Sequence, residues 1–311
     1  ERVLHTRLYY PLCVGVQARY SRHMKKKKLR GEEAFREYYR TFFTSDDEFE
    51  KFLDALRTPS KPVLRFSPRD DDALHKLWSD RGLTWGKHPM YEYAVLWPHE
   101  ANIGEILPGY EEKMLYPMNA SSLLPVLALD VKNGDRVLDA CAAPGGKALV
   151  INDILGGSGK LIANDRSSAR ASRMRNIFEE YGARNIEMWN VPAETLFRKY
   201  PDFFDKILLD APCSSEKHVI QSPKHLAEWS HGRIRALKQQ QLSLLCGLFR
   251  ALKTGGRLVY ATCAVTREEN EDVIEKCLKK TGGRLIETYR QAPDPTLNLD
   301  PMFYAILEKT N

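Results

Sequence analysis

The larger part of this 311-residue chain is predicted to be a doubly wound α/β domain, preceded by a small α+β domain. Three observations carry the prediction. From about residue 119 onward, short apolar runs rich in Val, Ile and Leu alternate with segments of helical periodicity. Strands separated by helices pair in parallel, because the chain must cross over before it can run the same way again. The last two runs, 284-RLIETY-289 and 302-MFYAILEK-309, have no helix between them, which predicts an antiparallel pair at the sheet edge.

Residues 1–30 read as a basic N-terminal arm around 22-RHMKKKKLR-30, either a solvated tail or a phosphate-contacting segment. Residues 31–97 read as the small α+β domain. In it Phe35, Tyr38, Tyr39 and Phe42 recur at helical spacing, and 44-TSDDEFEKFLDAL-56 opens on cap residues before Phe49, Phe52, Leu53 and Leu56 share one face. These aromatics are expected in the core rather than as a stacking platform. A strand 62-PVLRF-66 follows, then a helix through Leu74, Leu77 and Trp78. Residues 98–118 read as a linker. The domain 119–311 then presents helix 119–129, strand 135-DRVLDA-140, helix 146–155, strand 160-KLIAND-165 and a helix over 168–181. Strands 185-NIEMWNV-191 and 206-KILLDAP-212, a long helix through Ile234 to Leu248, strand 256-GRLVYATC-263 and helix 268–279 lead to the final pair.

A hydrophobic content of 43% suffices for a sizeable core, and the absence of an 18-residue apolar run gives no expectation of a membrane span. The net charge of +6 suits a nucleic-acid partner without establishing one. Six scattered cysteines without a C-x-x-C pair argue against a zinc site or a disulfide framework and for a reducing intracellular compartment. The chain opens on Glu1, so any targeting segment is not visible in it.

In a doubly wound sheet, ligands sit beyond the carboxyl ends of the strands. The first strand delivers 139-DACAAPGGK-147 there. Small residues and two glycines admit a ligand close to the backbone, and the helix after them offers its N-terminus to a carboxylate or phosphate. The pattern is neither G-x-G-x-x-G nor a P-loop, which disfavours a dinucleotide or a nucleoside triphosphate. Asp165, at the end of the second strand, is either a helix cap or an acceptor for both hydroxyls of a ribose. Together these features describe a site for S-adenosylmethionine.

Two strand ends on the same rim carry cysteines, Cys213 in 210-DAPCS-214 and Cys263 in 259-VYATC-263. Cysteine is often just a small buried hydrophobe. A thiolate beside a methyl donor, however, suits one chemistry well. C5 of a pyrimidine is a poor nucleophile until a thiolate adds at C6 and makes it enamine-like. A nearby acid favours the addition by supporting protonation at N3. A second cysteine can assist elimination.

With DACAAPGGK at 139–147, DAPCS at 210–214, VYATC followed by EEN at 259–270, SSLLPVLAL at 121–129 and QLSLL at 241–245, the chain resembles the Nop/Sun (Fmu) family of RNA 5-methylcytosine methyltransferases over residues 33–309. The resemblance implies a seven-stranded Rossmann-like methyltransferase sheet, S-adenosylmethionine as cofactor, no metal, and structured RNA as substrate, ribosomal RNA before tRNA. It implies Cys263 as nucleophile, Cys213 as the group that promotes product release, and Asp210 on the cytosine N3/N4 edge. It implies that Cys141, Ala142, Ala143, Pro144, Gly145, Gly146 and Lys147 line the cofactor, with Asp165, Arg170 and Asp210 also facing it.

Three departures stand out. Where the family carries Asp near the cofactor adenine, 190-NVPAE-194 places Pro192, so that either the adenine contact is weaker or Glu194 substitutes. The R-V-N of the small domain reads Arg65-Phe66-Ser67, and DAPCS runs on into Ser-Glu-Lys-His instead of Gly-x-Gly. That tail, with SSLLPVLAL, resembles the mitochondrial members more than the bacterial ones, which makes the mitochondrial matrix one expected location beside cytoplasm and nucleus. The rival reading is an RNA-binding ribosome assembly factor that keeps the fold without turnover, working with a protein partner. Pro192 favours it, and the intact Cys213, Asp210, Cys263 and glycine loop oppose it.

Overall fold

The computed structural model describes residues 30–295 and 298–310, so the lysines at 25–28 lie outside the described residues. Two helices come first, α1 (Gly31–Arg40) and α2 (Asp46–Arg57). α2 starts where Ser45 Oγ accepts the Glu48 N–H at 3.2 Å while the Glu48 carboxylate accepts from the backbone and hydroxyl of Thr44, a reciprocal cap that satisfies donors the helix itself leaves open. The apolar faces predicted from the spacing are buried, Phe35, Tyr39, Phe52 and Leu53 almost completely. Their core is not confined to the N-terminal segment. They pack on Val219, Ile220, Trp229 and Ile234, more than 160 residues further along the chain.

A four-stranded antiparallel sheet follows, made of β1 (Val63–Phe66), β2 (Lys87–His88), β3 (Tyr91–Val95) and β4 (Leu115–Met118) in the order β2-β3-β1-β4, with α3 (Asp71–Ser79) after β1. The stretch 98–118 thus differs from the linker expected of it. It ends in β4, which pairs with β1 from Phe66↔Leu115 to Val63↔Met118. A four-residue strand containing Pro117 has a weak signal, and the proline is tolerated because β4 is an edge strand. Arg65 of β1 bonds Asp153 through Nε at 2.8 Å and through a second guanidinium nitrogen, and Tyr91 donates to the same carboxylate at 3.0 Å. Arg65 and Asp153 are each about 2% exposed, so this pair bolts the small sheet to the helix Gly146–Leu155.

The large sheet has seven strands: β5 (Arg136–Asp139), β6 (Lys160–Asn164), β7 (Ile186–Trp189), β8 (Phe204–Asp210), β9 (Leu252–Thr262), β10 (Arg284–Gln291) and β11 (Met302–Glu308). Their order is β10-β11-β9-β8-β5-β6-β7. β5 to β9 are mutually parallel, and the last two strands form the antiparallel pair. The reversed strand, β11, lies one place in from the edge, between β9 and β10. Alternate residues serve opposite faces. Val137, Leu161, Leu208 and Val259 pack under α4 (Leu123–Ala128), α5 (Gly146–Leu155) and α6 (Ser168–Glu180). Leu138, Ile162, Leu209 and Tyr260 pack under α9 (His231–Ala251) and α10 (Glu271–Thr281). Two short helices, α7 (Glu216–Ile220) and α8 (Pro223–Glu228), link β8 to α9.

Candidate active site

Strand order reverses between β5 and β8, so the chain leaves these two strands in opposite directions and opens a crevice at their carboxyl ends. β5 delivers Asp139 and the 140–145 loop, β6 delivers Asp165, and β8 ends on Asp210. β8 and β9 pair in register Asp210↔Ala261, so the turns just beyond them lie side by side. Cys213 Sγ and Cys263 Sγ are 3.1 Å apart, and both are free thiols.

A cleft of about 620 Å³ runs along this rim, lined by Cys141, Ala143, Asp165, Arg170, Glu194, Asp210, Cys213 and Cys263, among others. Its floor is tied together by Asn164, fully buried. Its amide donates to Ala140 O and Val191 O, and its oxygen accepts the Val191 N–H, fastening the ends of β5, β6 and β7. Asp165 caps the Ser167 N–H at 2.9 Å through one carboxylate oxygen, and its other oxygen is buried 3.4 Å from the Arg170 guanidinium without a hydrogen bond. Arg170 reaches across to Ala143 O at 2.6 Å. At the third strand exit, Ala193 and Glu194 line the cleft.

A second cleft, about 220 Å³, shares Cys141, Ala143 and Asp210 with the first and is otherwise lined by Tyr116, Asn119, Ser122, Asp139, Ala142, Pro144, Gly146 and Lys147. The residues expected around one cofactor are therefore divided. Gly145 lines neither cleft. It turns the chain at φ +121°, and a Cβ there would come within 2.8 Å of the Phe178 ring. Gly146 leaves room for Tyr116, whose ring a Cβ would meet at 2.8 Å. Lys147 stands at the partition, 2.8 Å from Asp210 Oδ2 and 3.3 Å from Ser122 Oγ. Burial works against its ammonium, but Asp210 and Asp139 outweigh that and hold the lysine above its ordinary value.

Asp139 was not singled out by the sequence. It is 1% exposed, and neither carboxylate oxygen has a hydrogen-bond partner. Burial, with Asp210 and Asp165 nearby, pushes it up to about 7 despite the pull of Lys147. An orphaned buried acceptor at a strand end is a place where a ligand's N–H fits.

The turns carrying the cysteines rest on buried acids that sequence reasoning quoted only as part of a motif. Glu269 accepts from the Ser214 N–H and from the Gln241 amide, both at 2.9 Å. Glu216 accepts from Tyr39 OH at 2.6 Å, Ser214 Oγ at 2.8 Å and the Val265 N–H at 3.1 Å. Asn270 accepts from Thr262 Oγ1 at 2.6 Å and donates to Ala264 O at 2.9 Å, bracketing Cys263. Burial, then the proximity of Glu216, pushes Glu269 up to about 7. The hydrogen bond with Cys263, followed by burial, raises the Cys213 thiol well above its ordinary value. Cys213 thus faces the Cys263 sulfur in surroundings that oppose its ionisation.

Residues 126–307 match the family described as 16S rRNA methyltransferase RsmB/F. The chain is 31% identical over 245 residues to the tRNA (cytosine(49)-C(5))-methyltransferase of Pyrococcus abyssi, covering 77% of each protein. It is 39% identical over 188 residues to the ribosomal RNA small subunit methyltransferase F of Aeromonas salmonicida, covering 59% of this chain and 39% of that one. Against the same-named protein of Salmonella agona it is 32% identical and spans 56% of the relative's length. Among solved structures, NSun6 from Pyrococcus horikoshii, solved with SFG, superposes at a TM-score of 0.77 with 21% identity, covering 89% of this chain and 98% of that one. A methyltransferase homolog protein from the same organism gives 0.70 with 24% identity, covering 86% and 96%. These two likenesses speak for the fold.

Proposed function

The chain belongs to the RsmB/F family of 16S rRNA methyltransferases, and we propose that it methylates C5 of a cytosine in structured RNA through a covalent bond between Cys263 and C6. The observation that carries the reading is the 3.1 Å approach of two free thiols on the rim that also holds Asp210 and the glycine loop.

The cofactor of this reading is S-adenosylmethionine, and the residues fit it. The larger cleft has room for it, and the Asp165 carboxylate, beside Arg170, suits a ribose hydroxyl. Asp139, buried without a hydrogen-bond partner on the wall of the smaller cleft that meets the larger one at Cys141, Ala143 and Asp210, suits an ammonium donor reaching that junction. Cys141, Ala143, Arg170 and Glu194 complete the lining. When bound, the cofactor supplies an electrophilic methyl group.

The remaining chemistry belongs to the chain. The target cytosine leaves its stack to reach the rim, as bases must for such chemistry. Asp210, held by Lys147, engages the N3/N4 edge and accepts from N3–H, favouring protonation of N3 as Cys263 Sγ adds to C6. The new C–S bond gives C5 enamine character. Once C5 carries the methyl group, its proton passes to a base and the C–S bond breaks, returning its electron pair to Cys263 Sγ and restoring the ring; Cys213 is the neighbour placed to assist that release. Ribosomal RNA is the first substrate to test, since the matching family is described by 16S rRNA, and tRNA is the second, since the archaeal relative is named for it. Purified chain with each RNA pool and methyl-labelled S-adenosylmethionine should yield labelled 5-methylcytidine on nuclease digestion. A bound RNA with no label in any cytidine would sink the reading.

A further inference from the structure

A third cleft continues the first two. Asn119, on the wall of the 220 Å³ cleft, is also on the wall of an open cleft of about 540 Å³ bounded by Arg57, Ser60, Lys217, Gln221 and Asp300. None of these residues has a part in the chemistry above. Resting on the RNA reading, we propose that this cleft binds a nucleotide of the RNA strand beside the target cytosine, with its phosphate between Arg57 and Lys217.

Size, charge and construction support it. The volume lies within the range of sites for ligands of nucleotide size. Arg57, paired at the surface with Asp54, and Lys217, paired with Asp300, put two cationic donor groups on the walls, the kind of side chain that contacts a phosphodiester. The carboxylate is already committed: Asp300 accepts from Ser60 Oγ at 2.7 Å, from Lys217, and from the Asn119 amide at 2.5 Å. Lys217 gives one N–H to Ser60 Oγ at 2.7 Å and one to Asp300, and an ammonium carries three, so one remains for a ligand in a fixed direction. The Gln221 amide is anchored on Leu56 O at 2.9 Å, leaving its carbonyl to meet a base or ribose donor. The sequence points the same way. Ser215-Glu216-Lys217-His218 replaces the Gly-x-Gly of the family the chain resembles, and its consecutive residues serve both places: Glu216 buttresses the Cys213 turn, and Lys217 furnishes the cleft. A strand seated on Lys217 would lie one residue from the support of the reacting cysteines.

The test uses the full chain, with Arg57→Glu and Lys217→Gln as variants. Arg57 is 43% exposed and pairs only with Asp54 at the surface, so its replacement spares the fold. Steady-state methylation of the identified RNA should show KM for RNA raised about tenfold in each variant, with kcat and KM for S-adenosylmethionine unchanged. Zero-length ultraviolet crosslinking should join a nucleotide adjacent to the target to peptides containing residues 57–60 or 217–221. Wild-type KM for RNA in both folded variants, or crosslinks confined to other peptides, overturns the proposal while leaving the methylation reading intact. Crosslinks at these peptides with no methyl transfer support the cleft and remove the methylation reading.

Discussion

Glu269 accepts the backbone N–H of Ser214 at 2.9 Å, so the turn after one cysteine is tied to the segment that follows the other. The same carboxylate takes the Gln241 amide, and Gln241 also donates to Pro212 O at 2.9 Å, which brings α9 into the clamp. The distance between two sulfurs carried by different strands is thereby set by buried groups that touch neither of them.

Removing that clamp should slow the reaction without weakening the cofactor. Glu269→Ala leaves the Ser214 N–H and one of the two Gln241 amide N–H groups without an acceptor, at roughly 1–3 kcal/mol for each buried orphan. The expected result is a lower Tm and a kcat at least tenfold down, with cofactor affinity unchanged. Glu269→Gln keeps an acceptor and should restore most of the rate.

Stability should fall between about pH 4 and 7. Asp139 and Glu269 are pushed from ordinary values of 3.8 and 4.5 up to about 7 in the folded protein. Within that window the folded state holds protons the unfolded chain has released, so stability declines as pH rises and the loss is complete above about 7. Asp139→Asn abolishes its share, on the order of a few kcal/mol. Tm measured from pH 4.5 to 8 should decline less in the variant. A parallel decline would remove Asp139 from the explanation.

Lys147 should matter for turnover and little for cofactor binding, because it faces Asp210 across the smaller cleft. Lys147→Met strips the cation from Asp210 and Asp139. A kcat loss of about 100-fold or more is expected, in line with removal of a group that stabilises developing charge. Calorimetric affinity for S-adenosylmethionine should stay within about threefold, a difference worth under 1 kcal/mol. A selective loss of that affinity would return Lys147 to the cofactor wall.

Gly247 sets how closely α9 approaches the cleft. A Cβ there would lie 2.2 Å from Glu194 O, backbone with no flexible end to yield. Gly247→Ala should cost about 1–3 kcal/mol or more through overpacking. It should also weaken cofactor binding, because the displaced segment carries Ala193 and Glu194.

Much of this was legible in the sequence because the period of the apolar residues and the residues at strand ends are local signals. The alternation of Val137 with Leu138 and of Leu208 with Leu209 marks a sheet covered on both faces, and Cys213 and Cys263 announce themselves by ending two such strands. What escaped depended on distance in the chain or on packing. The partner of the Phe35–Tyr39 face is Trp229, which no periodicity reveals. Leu115–Met118 looked like linker because its strand is four residues long and includes a proline. Asp139 reads as the last residue of a strand, and only burial without a partner shows it as a candidate ligand. Lys147 belongs to a recognisable glycine loop, but only its 2.8 Å pairing with Asp210 shows it on the wall of the smaller cleft.

The central claim is that Cys263 attacks and Cys213 releases. Wild type, Cys213→Ala and Cys263→Ala would be incubated with ribosomal RNA and tRNA and methyl-labelled S-adenosylmethionine, then resolved on a denaturing gel. A labelled protein–RNA adduct is expected to accumulate in Cys213→Ala, and neither adduct nor methylated RNA with Cys263→Ala. An adduct that builds up in Cys263→Ala would reverse the two roles, and three indistinguishable lanes without label would contradict the covalent mechanism itself.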